Sequence, residues 1–529
     1  MIKQLQRLLI PHTNLQWVIR LSALIVIIVA GIGGVWVIYQ RTNGTTLSTL
    51  QCQHATETAN PVQAENFCPG TTRWRADRPF GEQHDIEGFT APISVQAGEA
   101  MKIYVSTTAS TYSFEIYRIG WYQGLGGRLM YSSSTLVGIQ QPPPLIDLTT
   151  RMVSCTNWHS PVTFSIPKNW VSGVYIIKLL AGKYLRYISF VVRNDASHSA
   201  ILFQTSVLTY EAYNAWGGYS LYTSPGTNKT SIFKNRAYIV SFDRPFLAQR
   251  GGGLGEFPLY NEYNMLRWLE RSGYDVSYST DIDTDQRAAT LLQHKLFLDA
   301  GHDEYWSTAM RTNVTTARDH GVSLAFFGAN DIYWHVRLQS SLLGPDREVV
   351  CYKVHYSNDG VVDPLEATHP DETTSLWRSA PLNQPENALL GEMYAGPAPG
   401  LAPLVLTSAA HSFYANTTLH QGSAIDGLVG GEYDHVYHNT VSPANLLTLA
   451  ASPLPCIPST PCPRKSSGTA NATLYTATSG ARVFDAGTFY WGWGLDDDSF
   501  IPSAHLPPQH YATTAFQQFT MDLLTYLLK

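Results

Sequence analysis

The residues best equipped for chemistry fall in four short segments. Gly301-His302-Asp303-Glu304-Tyr305-Trp306-Ser307 sets an imidazole beside two carboxylates. Thr209-Tyr210-Glu211-Ala212-Tyr213-Asn214-Ala215-Trp216-Gly217-Gly218 and Ser220-Leu221-Tyr222 supply three tyrosines, and Gly328-Ala329-Asn330-Asp331 an amide. A base next to a ligand carboxylate is the vocabulary of metal-assisted hydrolysis. No Ser or Cys stands at the centre of the His302 turn and no G-x-S-x-G occurs there, which argues against a nucleophile elbow. A tyrosinate is a hard anionic oxygen donor suited to a ferric ion. Two of them with one carboxylate offset the three charges of Fe3+ in a dry site. The structural alternative keeps Asp303 as a helix N-cap and His302 as the partner of a nearby loop. It leaves the tyrosines packing their rings, as a chain with 30 tyrosines does at many strand ends.

These segments follow compact apolar runs. Ala200–Gln204 (AILFQ), Lys295–Leu298 (KLFL), Val322–Phe327 (VSLAFF) and Ala481–Asp485 read as strands, with Tyr274–Tyr278 as another. The last run leads to Gly487 and Trp491-Gly492-Trp493-Gly494. Between the strands, Leu259, Tyr263, Leu266 and Leu269 recur at helical spacing and stop at Gly273. Asp285–Leu292 and Ser307–Arg318 read as further helices, Ser307 starting the latter, and Phe516–Leu528 as a closing one. Strands alternating with helices predict βαβ crossovers and a mainly parallel sheet over residues 198–529. Such sheets bind ligands beyond the carboxyl ends of their strands, so tyrosines, imidazole, carboxylates and amide converge on one edge.

Upstream, residues 87–195 carry short alternating runs (Ile93/Val95, Ile103/Val105, Tyr112/Phe114/Ile116, Val174/Ile176) punctuated by Gly, Ser and Asn. That grammar predicts an antiparallel, Ig-like β-sandwich, with Gln140–Pro144 as a turn or polyproline loop. Pro453–Pro463 reads as a surface loop. The charge balance of 35 basic against 41 acidic residues, net −6, offers no basic footprint for nucleic acid. With 44% hydrophobic and 14% charged residues, the chain is not disordered at large.

Leu21–Tyr39 is an uncharged 19-residue run, about 28 Å of helix against a hydrocarbon core of ~30 Å. A cleaved signal peptide is the rival reading, but the run is long and leads into Gln40-Arg41-Thr42-Asn43. Lys3, Arg7 and Arg20 precede it. The expectation is a cytoplasmic tail (1–20), a transmembrane helix (21–39), a stalk (40–86) and an extracytoplasmic globular part, hence a single-pass membrane protein. Six cysteines permit disulfides, Cys52/Cys68 and Cys456/Cys462 being nearest in sequence, and their spacing does not suggest zinc.

The strings YSFEIYRIGWY (Tyr112–Tyr122), TYEAYNAWGG, SLY, FDRP (Phe242–Pro245), GHDEYWS and GAN (Gly328–Asn330) resemble the large (beta) subunit family of N,N-dimethylformamidase. The similarity runs from the sandwich to the C-terminus, and GHDEYWS is its most specific element. It implies a glutamine-amidotransferase-like α/β fold without the cysteine nucleophile. It also implies a mononuclear iron, Fe3+, bound by two tyrosines and a glutamate, with no histidine ligand. Carried over, Glu304 and Tyr222 are ligands, with Tyr213, or Tyr210 in its place, as the third. His302 matches a catalytic histidine and Asn330 a pocket amide. Glu432, in GGEYDH, matches a pocket carboxylate more loosely. The loop between TYEAYN and SLY is shorter here, and the family's start is soluble.

The expected function is an iron-dependent hydrolase of a small carboxamide, acting through a metal-activated water. His302 then relays a proton to the leaving amine, and Asn330 orients the amide or stabilises the oxyanion. A homo-oligomer or a small subunit is the expected partner. The rival from another class is a surface protein that grips glycans or peptides with an inactive α/β domain.

Overall fold

The computed structural model describes residues 60–80, 84–226, 235–247, 260–356, 360–407, 412–454, 468–498 and 510–529. Seven strands, β1 (Ile201–Thr205), β2 (Val276–Thr280), β3 (Leu296–Gly301), β4 (Ser323–Gly328), β5 (Leu447–Pro453), β6 (Thr469–Thr476) and β7 (Arg482–Asp485), form one sheet. Their spatial order is β2-β1-β3-β4-β7-β6-β5. The first five in that order run parallel, and β6 and β5 extend the sheet antiparallel. The chain leaves β1 toward β2 on one side and returns to β3 on the other. The carboxyl ends of β1 and β3 therefore flank the crevice where such sheets hold ligands.

Period-two alternation loads both faces of this sheet. Ile201, Phe203, Leu296, Leu298, Ala325 and Phe327 share a core with Leu266 and Leu269 of α2 (Tyr263–Arg271) and Phe516 and Leu523 of α5 (Thr514–Leu527). Leu202, Phe297, Leu324 and Phe326 share the opposite core with Ile282 of α3 (Asp281–Gln286) and Met310 and Val314 of α4 (Thr308–Asp319). A short helix, α1 (Val207–Tyr213), leaves β1 directly. The expected helix over 285–292 starts earlier and is broken in two, α3 ending at Gln286 and a single turn resuming over Ala288–Leu291. Thr280 and Asp283 make reciprocal capping bonds, and the chain leaves helical geometry at Arg287. Ser307 caps α4, accepting from the Met310 amide at 3.0 Å.

Upstream, strands Ile86–Ala91, Ala100–Thr107 and Val162–Ser165 face a second sheet around Thr111–Ile119, Gly173–Ala181 and Tyr184–Arg193. Ile103, Val105, Phe114, Ile116, Tyr175 and Ile177 fill the space between them. Val174 and Ile176 point the other way, into the core that holds Val276 and Tyr278 of β2. Both faces of that strand are thus buried, and the two halves of the molecule are packed together.

Residues 60–80 also depart from a free stalk. Asn60 caps a helix over Pro61–Asn66, Val62 and the fully buried Trp74 join the core, and Cys68 is disulfide-bonded. Cys155 and Cys351 are buried free thiols; Cys52, Cys456 and Cys462 lie outside the described residues. The single-pass membrane arrangement is corrected as well. Among the described residues no helix is long and apolar enough to cross a membrane. The longest of them, α5, has 14 residues, about 21 Å of rise against ~30 Å of hydrocarbon. The run Leu21–Tyr39, on which the anchor and its orientation rested, lies outside the described residues.

Candidate active site

The site is assembled by the turns that follow β1, β3 and β4. Behind β1, α1 is buried along its whole length and ends at Tyr213. Arg244 of the FDRP string then shapes the next loop. It donates to the carbonyls of Asn214 (2.8 Å), Trp216 (3.1 Å) and Tyr219 (2.9 Å) while paired with Glu211 at 2.6 Å. The Leu221 amide closes the loop on the Ala212 carbonyl at 3.0 Å, which stacks Tyr222 on Tyr213 with ring centroids 4.4 Å apart.

Behind β3, Gly301 takes a φ of +89°, and a Cβ there would lie 2.5 Å from that of Asn261. Only glycine turns the chain so tightly. Glu304 follows, its amide held by Thr209 Oγ1 at 3.0 Å. Tyr222 OH donates to Glu304 Oε1 at 2.7 Å, and Tyr213 OH to Oε2 at 2.8 Å. The two hydroxyls are 3.1 Å apart. Trp334 Nε1 donates to Oε1 at 2.8 Å. Burial first, and the Glu304 charge second, push both phenols well above the ordinary tyrosine range, so without a cation they stay protonated and donate.

The imidazole stands beside this trio. His302 Nε2 is 3.5 Å from Glu304 Oε2, 3.4 Å from Glu432 Oε2 and 3.3 Å from Asn330 Nδ2. The Asn330 amide group donates to Glu432 Oε2 at 2.6 Å, and Tyr394 OH to Oε1 at 3.0 Å. Asn330 sits at φ +56°, a left-handed turn behind β4 pinned by its own N–H on Asp434 Oδ1 at 2.9 Å. Phe489 lies against the imidazole at 4.4 Å. Burial raises the Glu432 carboxyl, while His302 opposes the shift.

A buried cation completes the picture. Lys353 Nζ donates to Tyr305 OH at 2.6 Å, and Tyr305 OH donates to Tyr222 OH at 2.5 Å. The ammonium sits over the rings of Trp334 (3.8 Å), Tyr222 (4.2 Å) and Tyr305 (4.7 Å). Burial pulls this lysine down to about 7.

Residues 113–507 match the family described as N,N-dimethylformamidase beta subunit-like, C-terminal. The chain belongs to that family. It is also similar to the N,N-dimethylformamidase beta subunit of Alcaligenes sp, at 25% identity over 221 residues. That stretch is 34% of this chain and 28% of the relative's length. Every side chain of the trio and of the His302 cluster falls inside the region that matches the dimethylformamidase-like family.

Tyr213, Tyr222, Glu304, His302, Asn330 and Glu432 are brought together; Tyr210 is not. It points toward the sandwich, lining a cavity of about 50 Å³ with Glu211, Ile176 and Tyr187. Asp303 is no N-cap: it is fully buried and takes the Gln204 amide at 2.5 Å. Trp491 belongs to the core rather than the site, with Phe484 and Phe516 around it. Sequence reasoning missed Trp334, Lys353, Tyr394 and Phe489. Tyr305, inside GHDEYWS, was the one neighbour that motif could have indicated. The pairing of Tyr305–Ser307 with Trp334–Ser341 is what carries Trp334 to Glu304.

The phenol oxygens of Tyr213 and Tyr222 and the Glu304 carboxylate oxygen that each contacts are 2.7–3.1 Å apart, as the donors of one hard cation are spaced. Ligands at ~2 Å from an ion stand about 3 Å from one another. Among the described residues no three His, Cys, Asp or Glu side chains are arranged to hold a metal, so any ion here depends on the two phenols.

Proposed function

We propose that this protein is an iron-dependent amidohydrolase acting on a small carboxamide. One observation carries the reading: two stacked phenols, their oxygens 3.1 Å apart, each contact one oxygen of the same carboxylate at 2.7 and 2.8 Å, next to an imidazole. Tyr213, Tyr222 and Glu304 would hold an Fe3+, which when bound supplies Lewis acidity toward a carboxamide carbonyl. The chain's own groups do the rest. Trp334 and Thr209 fix the Glu304 carboxylate and backbone, while Lys353 places a positive charge on the far side of Tyr222. His302 Nε2, between Glu304 and Glu432, takes a proton from attacking water and returns it to the departing nitrogen. Asn330 Nδ2 faces the same space and orients the amide oxygen, its donor direction set by Glu432. Phe489 and Tyr394 shield this space from bulk water.

The scaffold reading that accompanies this is an Ig-like sandwich on a glutamine-amidotransferase-like α/β domain. The strand order and the lack of Ser or Cys in the His302 turn support it. The test is metal analysis with visible spectroscopy on the purified protein. Wild type should hold one iron and absorb in the visible as a ferric tyrosinate. Tyr213→Phe and Tyr222→Phe should weaken that band, and Tyr210→Phe should leave it intact. A wild type without iron sinks the proposal; iron without cleavage of any small amide sinks the substrate class alone.

A further inference from the structure

Behind His302 and Asn330 lie four carboxyl groups that the proposed hydrolysis does not use. Asp331, Asp434, Asp485 and Glu392 are at most 2% exposed. One oxygen of each has a partner. Asp331 Oδ1 accepts the Asp303 amide at 2.8 Å, Asp434 Oδ1 the Asn330 amide at 2.9 Å and Asp485 Oδ1 the Gly487 amide at 3.2 Å. Glu392 Oε1 takes the Thr473 hydroxyl at 3.5 Å. The other oxygen of each is buried with no hydrogen-bond partner.

They lie around one stretch of backbone: the Gly487 amide donates to Asp485 Oδ1, and the Gly487 carbonyl accepts the Asp434 amide at 3.2 Å. Glu392 Oε1 lies 3.2 Å from where a Gly487 Cβ would stand, and Asp434 Oδ1 holds the amide of Asn330, the neighbour of Asp331. The charged groups facing them do not balance four negative charges. The buried acids Asp303 and Asp299 add negative charge beside Asp331, His302 faces Asp331, and Arg378 faces Asp434 but is held by Glu386 at 2.9 Å. Four neighbouring carboxylates without a counter-ion do not stay ionised in a dry interior. Nor are three of them arranged to hold a metal. A proton completes an oxygen that lacks a donor, because a carboxylic acid can donate to the next carboxylate.

We infer that Asp331, Asp434, Asp485 and Glu392 form a proton-sharing brace, in which Asp331 and Asp434 are positioning residues for the turns bearing His302 and Asn330. The two N–H groups they accept belong to Asp303 and Asn330, the residues that set the direction of those turns. Burial pushes all four carboxyls up, in agreement. The positioning role rests on the reaction proposed above; the proton sharing does not, and the test reads the sharing on its own.

Infrared spectroscopy of the full chain at pH 7 should show the C=O stretch of un-ionised carboxyl groups, since exposed Asp and Glu titrate near ~4. Asp434→Asn and Asp485→Asn should each remove part of that band and still fold, because an amide N–H replaces the acid O–H. Their unfolding midpoints at pH 8 should rise by about 2–4 °C, since an amide cannot ionise. Hydrogen exchange should find the Asn330 amide protected in Asp434→Asn and unprotected in Asp434→Ala. If an aspartate variant fails to fold, Glu392→Gln, which braces no turn, carries the same infrared comparison. The inference falls if the band is missing, if no folded variant diminishes it, or if a stoichiometric cation copurifies and its removal by chelator lowers the midpoint.

Discussion

Two buried clusters of charge in this protein are built on opposite principles. Where the sandwich meets the α/β half, Arg118 grips Glu270 through two bonds of 2.7 and 3.0 Å. Tyr278 and Asn66 each add a donor to Glu270 at 2.8 Å. Both charged side chains are fully enclosed, and the strand Thr111–Ile119, α2, β2 and the helix Pro61–Asn66 meet there. At the carboxyl ends of β3 and β4 the balance is reversed. Glu304 and Glu432 face Lys353 and one imidazole, Asp331 and Asp434 stand behind them, and one oxygen of each of these aspartates lacks a donor. A scaffold neutralises what it buries. A site keeps a surplus that a cation, a proton or a substrate completes.

The comparison breaks first at its structural end. Arg118→Met leaves Glu270 buried and unpaired, and should cost about 3–5 kcal/mol in urea unfolding. Whatever folds should bind iron as wild type does; weakened binding would mean the two clusters are coupled. At the other end, His302→Ala should lower amide hydrolysis by about 10²–10⁴-fold with iron and stability retained. Glu304→Ala should instead lose the iron. Equal metal loss in both variants would make the imidazole a ligand and end its assignment as proton carrier.

A finer cut is Trp334→Phe, which keeps an aromatic ring under Lys353 and deletes one donor to Glu304. A hydrogen bond to a charged group contributes about 1.5–3 kcal/mol, so iron affinity measured by competition with a chelator should fall roughly 10–100-fold. No change would show that the Trp334 bond does not orient the carboxylate. The mildest contrast is with pH. Burial holds Asp331 at about 6, above its unfolded value of ~3.9, so the folded state binds its proton more tightly. Its stabilisation is complete below ~3.9 and is lost as pH rises toward about 6. The unfolding midpoint should drift down by a few degrees over that window, and Asp331→Asn should flatten the drift.

Much of the scaffold was legible because its signals are local. AILFQ, KLFL and VSLAFF are continuous apolar runs, and strands buried on both faces have that look. Gly273 marked the end of α2, and Ser307 the start of α4. The trio was half legible: Glu304 and Tyr222 came from motif resemblance, but Tyr210 and Tyr213 stand three apart on one short helix. Only the docking of α1 against the sandwich turns Tyr213 toward Glu304 and Tyr210 toward the cavity beside Ile176. The run at 174–176 misled for a related reason. Alternation marks a strand, yet both its faces are buried here, so pattern could not say which face meets β2.

The amino-acid sequence by itself determined the strand and helix periods, the glycine turns and the residue types that gather at one sheet edge. These depend on neighbours a few positions apart. The tertiary structure decided which tyrosine reaches Glu304, that Lys353 and Trp334 enclose the same site, and that four acids line up behind it. Lys353 is 49 positions from Glu304, and Asp434 is 104 from Asn330. Contacts at such separations arise only when whole sheets pack, and no local preference of the chain encodes the charge environment that results.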